Sequence, residues 1–60
     1  MMADLPKDPV MLLGTINMKL RDFYPTLDAL CEDLQVGKDW ICSTLSGIDY
    51  EYDPKRNQFV

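Results

Sequence analysis

Helical periodicity recurs in three segments of the sequence, and the residues between these segments are ones that interrupt helices. Tyr24-Pro25 separates the first segment from the second, because proline cannot continue the helical hydrogen-bond ladder and restricts the residue before it. Gln35-Val36-Gly37 separates the second segment from the third. The pattern therefore predicts three short helices rather than one long helix.

We predict the first helix over residues 9–23. Asp8-Pro9 is a helix-start signal, because aspartate can accept hydrogen bonds from the exposed amide groups and proline suits the first turn. Gly14 weakens the helix by about 1 kcal/mol relative to alanine. It is either a tolerated small residue or a point of close backbone approach. The inner face carries apolar residues at helical spacing: Leu12, Leu13, Ile16, Leu20 and Phe23.

The second and third helices are shorter. Thr26 is a natural N-cap for the second helix, and Asp28 in its first turn interacts favourably with the helix dipole. The third helix should run from about Lys38 to Ser46, with Gly47 as a left-handed C-cap. The predicted inner faces are Leu27, Leu30, Cys31 and Leu34 on the second helix, and Trp40, Ile41, Thr44 and Leu45 on the third.

The periodicity then changes from helical to alternating. Apolar and aromatic residues alternate with acids, which predicts a half-buried strand: Ile48, Tyr50 and Tyr52 against Asp49, Glu51 and Asp53. The segment Asp53–Asn57 has turn chemistry, because proline fixes its own φ and asparagine tolerates the left-handed region. Gln58–Val60 can return as a second strand. An isolated hairpin is marginal in water, so this one should pack on the helices.

Together these elements predict a mainly α fold. It is a three-helix bundle with helix-turn-helix-like helices 2 and 3 and a short C-terminal β-hairpin. We divide the chain into an N-terminal arm (residues 1–8) and a single tri-helical domain (residues 9–60), with the hairpin at about residues 49–60. A chain of this length buries only about 60% of its unfolded surface, so its core is marginal and a partner subunit is a natural stabiliser.

The chain shows two resemblances, of which the first bears on the fold. Leu30–Ile41 resembles a helix-turn-helix unit of bacterial regulators, and the hairpin resembles the wing of a winged-helix domain. The turn position that is usually glycine in such units is Gln35 here. Almost the whole chain also resembles a family of small bacterial proteins known only as a domain of unknown function, through four runs: Asp8–Leu13, Asn17–Asp22, Leu27–Leu34 and Tyr50–Phe59. That resemblance implies a stand-alone cytoplasmic protein and transfers no site residues.

The charge balance restricts the partners. Ten acids against six bases give a net charge of -4, which disfavours a general nucleic-acid binder and an anionic membrane surface. The apolar runs are too short for a membrane helix, and the N-terminus lacks the features of a signal peptide, so the cytoplasm is the default location. Asp28, Glu32 and Asp33 lack calcium-loop spacing and are interpreted as a solvated acidic face.

Catalytic equipment is missing from the sequence. The chain has no histidine, no glycine-rich phosphate loop and no activating base beside either cysteine. We therefore expect no enzymatic activity, no cofactor and no metal site. Cys31 and Cys42 fit apolar patterning and are predicted to be buried and reduced, with a thiol-based sensor as the alternative. Asn17, inside the first helix, either bonds a neighbouring loop or partner chain, or faces solvent.

Two functions remain. The first is a protein-interaction or small regulatory adaptor domain with an unknown protein partner, a homodimer included; its candidate interface residues are Met11, Met18 and Trp40. Trp40 is assigned first to the core and second to an interface. The alternative is a DNA-binding transcriptional regulator of the helix-turn-helix type, which would use three basic residues: Lys38, Lys55 and Arg56.

Overall fold

The computed structural model describes residues 5–60, which form three helices followed by one antiparallel strand pair. The predicted mainly α three-helix fold with a C-terminal hairpin is confirmed, while the helix-turn-helix geometry of helices 2 and 3 stays a prediction. Of the predicted arm, residues 1–4 lie outside the described residues, and Leu5 packs against the core. The elements are α1 (Pro9–Asp22), α2 (Leu27–Leu34), α3 (Lys38–Ser46), β1 (Tyr52–Asp53) and β2 (Gln58–Phe59).

Side-chain caps fix where the first two helices begin. The Asp8 carboxylate accepts a hydrogen bond from the Met11 N–H at 3.1 Å. The Thr26 hydroxyl accepts one from the Ala29 N–H, also at 3.1 Å. Both starts were predicted from the residue types, because a cap satisfies an amide group that has no partner inside its own helix.

The helix ends differ from prediction in two places. Phe23 is the C-cap of α1 and is 68% exposed, so its assignment to the inner face was wrong. Its φ of -126° turns the chain out of the helix. Gly47 has a right-handed φ of -62°, so the predicted left-handed cap was also wrong. The left-handed conformation occurs instead at Gln35, which closes α2 at φ 57°, and at Asp49.

All three helices and the hairpin contribute to one apolar core. Two of its members come from α3, and Phe59 brings the hairpin into it. Among the described residues, six side chains from the inner faces of α1, α2 and α3 are essentially inaccessible to water. Within residues 5–60 the buried set is Leu12, Ile16, Leu20, Leu27, Leu30, Cys31, Ile41, Leu45 and Phe59.

The hairpin is shorter than predicted. Its strands pair Tyr52 with Phe59, whose ring centroids lie 5.6 Å apart, and Asp53 with Gln58. Ile48 and Tyr50 were wrongly placed in a strand, since their N–H groups donate to the Leu45 carbonyl at 3.1 and 3.0 Å. The segment after α3 thus satisfies free carbonyls at the helix end, and strand pairing begins only beyond it.

Asn17 joins α1 to the second strand. Its side-chain amide donates to the Phe59 carbonyl at 3.1 Å, and its side-chain oxygen accepts from the Phe59 N–H at 2.8 Å. The Gln58 side chain donates back to the Asn17 carbonyl at 2.9 Å. Of the two interpretations of Asn17, the structure therefore supports the bond to a neighbouring segment, and this bond fixes the hairpin against α1.

Asn57 ties the hairpin turn to the junction between α1 and α2. It has a left-handed φ of 54°, as its position in the turn predicted. Its side-chain N–H groups donate to the carbonyls of Leu20 and Tyr24 at 3.0 and 2.8 Å. Its side-chain oxygen accepts from the Tyr52 hydroxyl at 2.6 Å, and that hydroxyl accepts from the Leu27 N–H at 3.2 Å. One side chain thereby connects three elements.

Candidate interaction surface

The side of α1 that faces away from the core is rich in apolar groups. Residues three, four and seven apart share one face of a helix, so the residues opposite the buried Leu12, Ile16 and Leu20 form a second stripe. We call this stripe the α1 outer face. Val10 is 66%, Met11 63% and Met18 39% exposed, and Gly14 between the two methionines is exposed as well. The α1 outer face comprises Val10, Met11, Gly14 and Met18.

Two of the predicted interface residues therefore share this face. Val10 belongs to the same face but was not among the predicted interface residues. Its signal in the sequence is that it precedes Met11 and lies away from the buried positions on the helical wheel. The third predicted residue, Trp40, lies on α3 and is 41% exposed. Its first assignment to the core was wrong, because Ile41 and Leu45 alone turn fully inward from α3. Trp40 as an interface residue stays a prediction.

Charged residues flank the α1 outer face at both ends. Both ends carry charges of both signs: Lys7 and Asp8 precede the helix, and its last turn contains Lys19, Arg21 and Asp22. The Arg21 guanidinium contacts the Asp22 carboxylate at 3.0 Å, which lowers the pKa of Asp22. Because the Arg21 side chain is 70% exposed, this pair contributes little to stability and Arg21 can still contact another molecule.

The basic residues predicted to contact nucleic acid are close to acids. The Lys38 ammonium lies 2.8 Å from the Asp28 carboxylate, and this hydrogen bond raises the pKa of Lys38. The Arg56 guanidinium lies 3.6 Å from Asp53. Asp53 also accepts from the Lys55 N–H at 2.9 Å. Lys38 and Arg56 are thus each paired with a carboxylate, which reduces their attraction for phosphate, whereas the contact between Lys55 and Asp53 is made by the Lys55 backbone.

Two shallow depressions are lined by Tyr52 and Pro54 of the hairpin. The larger, with a volume of about 510 Å3, is lined by Ser46, Tyr52, Val60 and three acids: Asp49, Glu51 and Asp53. The smaller, of about 310 Å3, lies between Asp28 and Lys38 on one side and Pro54 on the other. Within residues 5–60 no group of three acid or cysteine side chains is arranged to hold a metal ion.

Comparison with protein families identifies the family of this chain. The family described as Domain of unknown function (DUF4250) matches residues 6–59. The chain belongs to this family. The match extends from just before α1 to the end of β2, so the DUF4250 domain includes both the α1 outer face and the hairpin that is bonded to α1.

Other comparisons add no relative to this DUF4250 chain. Neither the curated proteins nor the solved structures contain a match to it. Among the helices of residues 5–60, none combines the length and the apolar character that crossing a membrane requires.

The two cysteines of this DUF4250 domain differ in environment. Cys31 on α2 is 8% exposed, whereas Cys42 on α3 is half-buried, and both thiols are free. Burial, and next the neighbouring Cys42, raise the pKa of Cys31. Since the thiolate is the reactive form, both the exposure and the pKa of Cys31 reduce its reactivity.

We predict that iodoacetamide modifies Cys42 at least about tenfold faster than Cys31 at neutral pH, because Cys31 is both buried and poorly ionised. Mass spectrometry of peptides after timed labelling measures the two rates in one sample. The same reaction in denaturant is the control, and there the rates should converge. Equal rates in the folded protein would contradict the burial of Cys31.

Proposed function

We propose that this DUF4250 chain is a non-enzymatic, cytoplasmic protein-interaction module that binds its partner through the α1 outer face. The observation that carries the proposal is the exposure of Val10, Met11 and Met18 on one side of one helix. Exposed apolar groups that adjoin one another mark interaction sites more often than isolated ones do. Methionine suits such surfaces, because its unbranched, polarisable side chain adapts to the shape of a partner.

The way α1 is held also supports this role. Leu12, Ile16 and Leu20 fix its inner face, and the bonds of Asn17 and Asn57 join it to the hairpin. A helix anchored in this way presents its outer residues with little loss of conformational freedom on binding. The arrangement is suited to recognition in which a helix lays an apolar face against a complementary apolar surface.

The cytoplasmic location and the choice against DNA rest on separate observations. Two free thiols in a chain of this size are usual in a reducing compartment, where disulfides are rare. The regulator alternative has weaker support, because Lys38 and Arg56 each contact an aspartate and the net charge is -4. DNA recognition would need these bases free to neutralise phosphates.

Site-specific photo-crosslinking in the cells that produce the protein tests the proposal. A photoreactive amino acid replaces Met11 in one variant and Met18 in another, and Lys55 in the exposed control. We expect a discrete crosslinked species from the first two positions and none from the control. The α1 outer face should be covered by a partner, whereas Lys55 at the hairpin turn should remain in solvent.

The mass of the crosslinked species identifies the class of partner. A species of twice the chain mass indicates a second copy, and any other discrete mass indicates a different protein. Nuclease treatment reveals a nucleic-acid adduct, which would favour the regulator instead. The absence of any adduct from Met11 and Met18 would overturn the proposed function.

A further inference from the structure

We draw no further inference here: the strongest candidate, the α1 outer face with the open space that residues 5–60 leave at Gly14, carries charges of both signs at each end, and nothing in that part of the structure shows what covers it.

Discussion

Replacing Leu30 with alanine is expected to lower the free energy of unfolding by about 2–5 kcal/mol, because the side chain is fully buried and its loss leaves a cavity. A domain of this length has a total stability of roughly 3–9 kcal/mol. The substitution therefore removes a large part of the stability, and a measurable fraction of the variant should be unfolded at 37 °C. Urea unfolding followed by far-UV circular dichroism measures the change.

The matched control is Val60→Ala, which removes apolar atoms from a side chain that is 52% exposed. This variant should change the free energy of unfolding by no more than about 0.5 kcal/mol. A Leu30→Ala variant that unfolds at the same urea concentration as Val60→Ala would show that Leu30 does not lie in the centre of the core.

The second large effect is expected for Asn57→Ala, which should lower the free energy of unfolding by about 2–4 kcal/mol. The carbonyls of Leu20 and Tyr24 each lose a hydrogen-bond donor, and the Tyr52 hydroxyl loses its acceptor. Alanine is also disfavoured at the left-handed φ of 54°. Thermal and urea unfolding measure the loss.

Asn57→Gly separates these two causes. Glycine adopts the left-handed conformation without strain but cannot make the hydrogen bonds. We expect it to fall between wild type and Asn57→Ala, and the difference between the two variants gives the conformational contribution. If both variants were as stable as the wild type, the side-chain contacts of Asn57 would not be needed to hold the hairpin.

Local signals in the sequence predicted the helices well. Asp8 and Thr26 were assigned as caps from residue type alone, and both accept the expected hydrogen bond. Such contacts span only three residues, so the chain itself brings the partners together. The inner stripe of α1 was predicted for a similar reason, since spacing along a regular helix decides which side chains share a face.

Trp40 shows where a periodicity argument loses its power. At about 100° per residue, Trp40 lies about 100° around α3 from Ile41 and about 140° from Leu45. A helix of nine residues has few apolar positions, so their spacing fixes the direction of the buried face only to within about 100°. Hydrophobicity favoured the core, but Ile41 and Leu45 already fill it.

The contacts that fix the hairpin were beyond prediction for another reason. Asn57 bonds the carbonyls of Leu20 and Tyr24, which precede it by 37 and 33 residues. An amide side chain has both donors and an acceptor, so its residue type does not reveal which distant partner it takes. The candidate site was partly predictable: Met11 and Met18 were named, while the flanking Val10 and the open space at Gly14 required the structure.

The two hydrogen bonds between the Asn17 side chain and the Phe59 backbone have a consequence for solubility. The side-chain amide engages the backbone N–H and C=O of Phe59 as a third strand would. Exposed strand edges recruit further chains, and this is the usual route to cross-β aggregation. By occupying that edge with one helical side chain, the molecule protects the most apolar end of its hairpin, Phe59-Val60, from growing into a larger sheet.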